Sequence, residues 1–163
     1  MQANESLIEA KNVLQQLADR DSLTGLANRR ALPGVFRKSY DTGATILFFD
    51  LNGFKEINDS FGHHAGDVCL QRFAQSLQES FRPDDSIIRY AGDEFVVVAH
   101  AVEPSQMRDC IDRVRERLRT HRGDAPPVRF SVGSAYLSKH GDADAALRAA
   151  DEAMYLDKMG QRC

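Results

Sequence analysis

The segment 44–50 constrains the fold of this chain more than any other. It reads Ala-Thr-Ile-Leu-Phe-Phe-Asp, a nearly continuous apolar run with β-branched and aromatic side chains. Such a run predicts a buried central strand, and this one ends on an acid. A central strand needs neighbouring strands on either side and helices to cover the sheet, which favours a mixed α/β domain.

The rest of the sequence alternates helical and extended patterns around this strand. Helices are predicted over 1–20, 28–39, 63–81, 104–121 and 142–158, with a turn and a short helix over 52–60. Strands are predicted over 86–90, 95–99 and 127–136, and the first two form a hairpin. We therefore expect an α/β sandwich whose central, mostly antiparallel sheet is flanked by helices, as in ferredoxin-like and polymerase-palm domains.

The N-terminal segment predicts a separate element in front of this domain. A linker-like or signalling helix over 1–20 precedes a polar turn, and one domain follows over 21–163. Leu7, Ala10, Leu14 and Leu17 share one stripe of that helix. The stripe indicates either a helix packed on its own domain or the end of a parallel coiled coil that dimerises the protein.

Composition excludes several classes of protein. With 163 residues, 42% hydrophobic and 28% charged, the chain suits one globular domain rather than a disordered one. The 21 basic and 24 acidic residues leave a net charge of −3, which argues against nucleic-acid binding. No apolar run reaches the ~18 residues of a membrane span, so no membrane contact is expected within this chain. Three cysteines without a CxxC pair indicate a reduced, cytoplasmic protein.

Two acidic features lie where a purely structural role is costly. Asp50 closes the apolar strand, and Asp93-Glu94 lies in the turn of the apolar hairpin. On neighbouring strands these carboxylates converge at one edge of the sheet, where like charges are normally tolerated only around a cation. Oxygen ligands with open positions suit Mg²⁺, which takes further ligands from water and substrate phosphates. The alternative is that Asp50 caps a turn and Asp93 is an ordinary hairpin acid.

Residues near these acids have the chemistry to bind phosphate. A tight turn at 52–55 contains Gly53, which lets backbone N–H groups approach an anion, and Lys55, which neutralises a phosphate. Lys158 adds a second positive charge from the last helix. Solvated surface lysines are the simpler alternative.

Several ordered motifs, read together, resemble one known family, the GGDEF domain of diguanylate cyclases. The resemblance covers 21–158. It is carried by Asp21-Ser-Leu-Thr-Gly-Leu-Ala-Asn-Arg-Arg30, Phe49-Asp-Leu-Asn-Gly-Phe-Lys-Glu-Ile-Asn-Asp59, Phe61-Gly-His-His-Ala-Gly-Asp67, Arg89-Tyr-Ala-Gly-Asp-Glu-Phe95, Ser131-Val-Gly-Ser-Ala135 and Ala150-Asp-Glu-Ala-Met-Tyr-Leu-Asp-Lys158.

The resemblance implies an activity and a set of metal ligands. The family condenses two GTP into cyclic di-GMP and two pyrophosphates, with each subunit of a homodimer holding one GTP. Asp50, the Leu51 carbonyl and Asp93 would hold two Mg²⁺ or Mn²⁺ ions per active site, which is two-metal chemistry. Asp93 or the neighbouring Glu94 would accept the proton of the attacking 3′-hydroxyl.

The resemblance also assigns nucleotide contacts. Lys55 and Lys158 match residues that contact phosphate. Gly53 and Phe54, in the 52–55 turn with Lys55, belong to the same substrate site. Asn58 and Asp67 match the guanine readers, and His63 lines the same pocket. A carboxylate such as Asp67 accepts from guanine N1–H and N2–H₂, whereas adenine offers no donor at N1. Without the family, turn formation by Asn58 and helix capping by Asp67 are the simpler interpretations.

The sequence departs from the family pattern at two places. The signature begins with Ala91 instead of glycine, which costs about 1–2 kcal/mol if that residue needs a positive φ. Near the C-terminus, Gly160 lies one place earlier than in the common Lys-x-x-Gly-Arg pattern.

A further motif resembles the family's inhibitory product site. Arg82-Pro-Asp-Asp85 precedes the signature by five residues, and Arg113 on the next predicted helix supplies a second arginine. The planar fork of arginine binds phosphate and stacks on guanine. An arginine at a helix end with an acid in the next turn is the alternative.

Three functions remain open at this stage. The leading one is a dimeric diguanylate cyclase inhibited by its product. The second is a catalytically impaired domain that senses cyclic di-GMP at Arg82 and Asp85, or GTP at Asn58 and Asp67, and Ala91 favours this reading. The third is a dimerisation module in which the first helix forms the dimer contact.

Overall fold

The computed structural model describes residues 2–100, 103–120 and 123–162. The helices are Gln2–Ala18 (α1), Leu32–Ser39 (α2), Phe54–Phe61 (α3), His63–Ser80 (α4), Pro104–Thr120 (α5) and Ala143–Arg162 (α6). The strands are Ala27–Asn28 (β1), Ala44–Asn52 (β2), Ser86–Ala91 (β3), Glu94–Ala99 (β4) and Arg129–Leu137 (β5).

The five strands form one sheet in the order β1-β3-β4-β2-β5. β1 runs parallel to β3, and all other neighbours are antiparallel. Without the short β1, this is the strand order of a ferredoxin-like βαββαβ unit, in which crossover helices pass over the sheet. The predicted α/β sandwich with a mostly antiparallel sheet is therefore confirmed.

The sheet is buried on both faces because the central strand β2 is apolar on both. Leu47 and Phe49 belong to the larger core, which α4 and α5 cover, whereas Ile46 and Phe48 belong to the core beneath α2 and α6. The predicted inner face of the fourth helix is correct, since all four of its members are at most 7% exposed: Leu70, Phe73, Leu77 and Phe81.

Several predicted boundaries are wrong. The helix predicted over 28–39 begins only at Leu32, because Asn28 is extended in β1 and its side chain accepts from Arg30 N at the start of a 3₁₀ turn. The strand predicted from 127 begins at Arg129, since Pro127 has no N–H to donate to a ladder. The last helix continues beyond the predicted residue 158. The last residue of the helix predicted over 104–121 lies outside the described part of the chain.

α1 contributes no buried residue to this domain. Its apolar stripe faces away from the domain: Leu7 is 73% exposed, and Leu14 and Leu17 are each 66% exposed. The helix therefore does not rest on its own domain. In the described residues, no helix is both long and apolar enough to cross a membrane.

Gly133 allows α6 to approach β5 closely enough to pack backbone against backbone. A β-carbon at Gly133 would collide with the main chain of Ala150, Ala153 and Met154. We expect Gly133→Ala to lower the free energy of unfolding by about 1–3 kcal/mol, as overpacked cores do.

Gly34→Ala is the matched control, because a β-carbon there meets only the Arg37 guanidinium at 3.6 Å. In the helix α2 this change should be neutral or stabilise by about 0.5–1 kcal/mol. Urea unfolding measures both variants, and equal stabilities would contradict the packing described.

Candidate active site

Asp50 lies near the C-terminal end of the central strand β2. It is opposite Glu94 on β4 and Ser131 on β5, and only 9% of its surface is exposed. The sequence predicted that Asp50 ends the strand, but β2 continues to Asn52, which pairs with Arg129. Asp50 is therefore held in register by strands on both sides.

The Asp50 carboxylate is only half satisfied. Oδ2 accepts a 2.9 Å hydrogen bond from Lys158 Nζ, whereas Oδ1 is buried and has no hydrogen-bond partner in the part of the chain that the structure describes. An unpaired buried oxygen of a charged group costs the full desolvation of that oxygen. A divalent cation completes the coordination of such an oxygen. Without one, a proton shared with the Asp93 carboxyl has the same effect, and after burial and the charge of Asp50 this hydrogen bond with Asp50 is one cause of the raised pKa of Asp93.

Asp93 and Glu94 bring two more carboxylates to this end of the sheet. Burial and then repulsion by Asp50 raise the pKa of Asp93. Burial, followed by Asp50, Asp151 and Asp93, likewise raises the pKa of Glu94. Negative charge is therefore more concentrated here than the single Lys158 neutralises.

Asp151 on α6 is a further carboxylate of this cluster, and the sequence analysis missed it. Burial and the charges of Asp50 and then Glu152 raise its pKa. The available signal was its spacing from Lys158, because residues seven apart lie on the same face of a helix.

The end of α6 is tied to the end of β2 by polar side chains. Asn52 Nδ2 donates to Gln161 Oε1 at 2.7 Å, and Ser131 Oγ donates to Asn52 Oδ1 at 2.8 Å. Asp157 Oδ2 accepts from Val132 N at 2.9 Å. These bonds hold the helical turn that carries Lys158 against the strand that carries Asp50.

The residues predicted to hold a cation are adjacent in the structure. Leu51 N donates to Asp93 O at 3.0 Å, so the main chain of Leu51 lies beside that of Asp93. Carboxylates and a main-chain carbonyl are hard oxygen donors, and Asp50 Oδ1 lacks a partner, so this set fits Mg²⁺ or Mn²⁺. In the described residues no three His, Cys, Asp or Glu side chains form a metal cage. Mg²⁺ does not require one, since it takes ligands from phosphates and water.

The turn after β2 has the geometry expected of an anion-binding turn. Gly53 adopts φ +68° and precedes α3, a left-handed conformation that favours glycine. Lys55 is exposed on the first turn of α3. Phe54 is half-buried and packs against the larger core, so part of its role is to anchor this turn.

The predicted guanine readers meet where α3 crosses α4. The Asn58 side chain lies directly against Gly66, where a β-carbon would collide with its Oδ1. Asp67 follows Gly66 and is exposed, and His63 is exposed at the start of α4. The sequence analysis assigned no role to Gly66, whose lack of a side chain makes room for Asn58.

The three predicted inhibitory residues also come together. Arg82, Asp85 and Arg113 line one cavity of about 170 Å³ between β3 and α5. Asp85 Oδ2 accepts from Arg82 N at 3.0 Å and Oδ1 from His100 N at 3.1 Å. Arg113 Nη2 donates to Ser80 O at 3.2 Å. Asp85 thus shapes the turn, while the Arg82 side chain is exposed.

The two departures from the family pattern cause no local strain. Ala91 is the last residue of β3, and His140 is the only non-glycine residue with a positive φ in the described residues. The strain considered for an alanine at this position therefore does not arise. Gly160 lies inside α6 rather than at its end, and Gln161 just after it makes the bonds to Asn52 and Phe130 O.

Fold and site together define a palm-like α/β domain with its acidic centre at one end of the central strand. The family model described as "Diguanylate cyclase, GGDEF domain" matches residues 18–162. The chain belongs to this GGDEF family, as the motifs indicated.

Known proteins similar to this chain carry more than one function. Diguanylate cyclase DosC of Escherichia coli K12 is 34% identical over 149 residues, which cover 85% of this chain and 32% of DosC. Cyclic di-GMP phosphodiesterase PdeR of the same strain is 33% identical over 167 residues, covering 94% of this chain and 24% of PdeR. The chain thus spans a third or less of the length of either relative.

A solved structure also matches. The crystal structure of the GGDEF domain of DgcB from Caulobacter crescentus, in complex with c-di-GMP, has a TM-score of 0.78 at 25% identity. The match covers 88% of this chain and 91% of that one.

Proposed function

We propose that this chain is a diguanylate cyclase that condenses two GTP into cyclic di-GMP and two pyrophosphates. The observation that carries the proposal is the buried, unpartnered Asp50 Oδ1 among further carboxylates at the end of β2. A domain that only senses a nucleotide elsewhere has no reason to bear this cost, which a divalent cation with its phosphate ligands offsets.

In this proposal Asp50, the Leu51 carbonyl and Asp93 hold two Mg²⁺ or Mn²⁺ ions. When bound, the ions stabilise the triphosphate charge and help to activate the 3′-hydroxyl for attack on the α-phosphorus. Each attack forms a new P–O bond, breaks the bond between the α- and β-phosphates and releases pyrophosphate. Asp93 or Glu94 accepts the proton of the 3′-hydroxyl.

Other side chains orient the substrate. Lys55 and Lys158 neutralise phosphate oxygens, and the N–H groups near Gly53 add neutral donors. Asp67 accepts from guanine N1–H and N2–H₂, and Asn58 completes the reading of the base, with His63 lining the pocket. The acidic balance of the chain does not oppose this binding, because the lysines lie close to the proposed phosphate positions.

We further propose that turnover requires a homodimer in which each subunit holds one GTP. The exposed stripe of α1 supports this, since Leu7, Leu14 and Leu17 have no partner within the domain that buries them. In proteins, most of the stability of a helix comes from packing of its apolar face, and α1 buries no residue on the domain, so a partner on this face would stabilise it. Leucines and alanine at heptad spacing favour a second copy of the same helix in a parallel coiled coil.

Product inhibition is the regulatory part of the proposal. The DgcB GGDEF domain binds c-di-GMP, and the cavity between Arg82 and Arg113 has suitable chemistry for a phosphate-bearing guanine ligand. We expect Arg82→Ala to raise the concentration of cyclic di-GMP that halves the rate by at least 10-fold. The initial rate without product should stay within about twofold. Initial rates at increasing added product measure this, and equal inhibition of both proteins would refute the assignment.

The function is tested by pyrophosphate release from GTP at several protein concentrations. We expect release with Mg²⁺, none in excess EDTA, and a rate per subunit that rises with protein concentration until the dimer saturates. Metal-dependent GTP binding without pyrophosphate release at high protein concentration would support the sensor instead. Dimerisation without GTP binding would support a dimerisation module.

A further inference from the structure

The turn that carries Asp93 is not fixed by packing. Ala91 and Gly92 are both exposed, and a β-carbon on Gly92 would meet no atom within 4 Å. Gly92 also has no left-handed φ that would define the turn by itself. Strand pairing closes the hairpin at Ala91 and Glu94, so between these two residues the orientation of Asp93 depends on hydrogen bonds to the main chain of the turn.

Three hydrogen bonds hold the peptide groups on either side of the Asp93 α-carbon. On the N-terminal side, Arg89 Nε and Nη2 donate to Gly92 O at 3.1 and 2.9 Å. On the C-terminal side, Leu51 N donates to Asp93 O at 3.0 Å. With both peptide planes fixed, the direction in which the Asp93 side chain leaves the main chain is also fixed.

The Arg89 guanidinium is itself held in place by the carboxylate of Asp21. Its Nη1 donates to Asp21 Oδ1 at 3.0 Å and Oδ2 at 3.2 Å, and both side chains are less than a fifth exposed. Thr24 donates to the same Asp21 carboxylate through N and Oγ1 at 2.8 and 2.7 Å. Although burial alone would raise the pKa of Asp21, the bonds from Thr24 and Arg89 hold it below its ordinary value. The anchor is therefore charged at neutral pH.

We propose that Arg89 is a positioning residue for the reaction, because its guanidinium fixes the peptide that precedes Asp93. The inference rests on the proposed cyclase function. Arginine is required because one planar group reaches two acceptors in different directions: the Gly92 carbonyl and the Asp21 carboxylate. A lysine ammonium lacks this fixed fork, so it holds one acceptor or the other less well.

The proposal predicts a loss in turnover that leaves substrate binding unchanged. Arg89→Met keeps the aliphatic stem but frees the Gly92 carbonyl, and a catalytic group displaced by about 1 Å can cost about 10²-fold in rate. We expect kcat to fall by about 10²-fold, while KM for GTP changes by less than about threefold. Arg89→Lys and Asp21→Asn should retain more activity than Arg89→Met.

Arg117→Met is the matched control. Arg117 Nη1 pairs with Glu79 at 2.7 Å on the surface of α4 and α5, away from the proposed site. Its loss should leave kcat unchanged. Thermal melts of all variants show whether any loss of rate reflects unfolding instead.

Amide hydrogen exchange tests the same inference without relying on activity. In the metal-free 163-residue chain, Arg89→Met should speed exchange at the Leu51 amide by about 10-fold or more, while the amide of Val97 on β4 stays protected. If the wild type were inactive, the proposed cyclase function would be wrong. The exchange rate of the Leu51 amide would still show whether Arg89 holds the turn. Unchanged Leu51 exchange, or full kcat in Arg89→Met, would overturn the inference.

Discussion

Asp93→Asn is expected to abolish cyclic di-GMP formation and at the same time to stabilise the metal-free protein. The variant loses a proposed metal ligand, so turnover should fall below detection. It also removes one charge from a set of carboxylates that repel each other. Relief of such repulsion is worth about 1 kcal/mol, which raises Tm by about 2–4 °C in a domain of this size.

The stabilisation should depend on pH in a defined direction. Burial and repulsion raise the pKa of Asp93 in the folded state, so the folded protein holds this proton to a higher pH than the unfolded chain. The penalty is therefore absent below the unfolded pKa of about 4 and grows as pH rises through the folded value. Thermal unfolding in EDTA should show a larger difference between variant and wild type at pH 7 than at pH 4.

A matched variant separates this effect from the general effect of an Asn substitution. Asp124 is exposed in the loop before β5, so Asp124→Asn should change stability by less than about 0.5 kcal/mol at either pH. Asp93→Asn that is less stable than wild type at pH 7, or that retains turnover, would contradict the assignment of Asp93.

Asp67→Ala is expected to produce the second large effect, a loss of discrimination between GTP and ATP. A site with buried hydrogen-bonding groups can reject an analogue that lacks a donor by about 10⁴-fold. Asp67 is exposed in the free chain, so the penalty arises only when the bound base desolvates its carboxylate, and it should be smaller. Without Asp67 that penalty disappears, so the ratio of kcat/KM for GTP over ATP should fall by about 10²-fold or more. Competition of each nucleotide against labelled GTP measures the corresponding ratio of dissociation constants, which should fall in the same direction.

Gly66→Ala tests the same pocket from its supporting side. The added methyl group collides with the Asn58 side chain and should displace it, so GTP binding should weaken by about 10-fold. Gly34→Ala provides the control for a glycine substitution in a helix. Unchanged selectivity in Asp67→Ala, together with unchanged GTP binding in Gly66→Ala, would contradict the placement of the guanine pocket between α3 and α4.

Much of the fold was predictable from short-range patterns. The apolar run before Asp50 can be buried on both faces only in the middle of a sheet that helices cover. The apolar stripes in the helical segments predicted the faces that α4 and α5 bury. The two-residue strand β1 could not be predicted, because two residues carry no periodicity. The extension of β2 to Asn52 depends on pairing with Arg129, a partner distant in sequence.

The acidic centre was predictable for a different reason. Buried acids such as Asp50 stand out in an apolar sequence because they are costly, whereas supporting residues do not. Arg89 belongs to a family motif, but its positioning role could not be predicted, since its bonds to Gly92 O depend on how the turn folds back. Asp151 is likewise one acid in a polar stretch of helix until α6 packs on β5 at Gly133.

Chromatography of the products formed from GTP and Mg²⁺ at high protein concentration decides whether the chain is a diguanylate cyclase. We expect cyclic di-GMP with two pyrophosphates for each molecule formed, and no product from Asp93→Asn under the same conditions. GTP that binds but remains intact in the wild type would contradict this function.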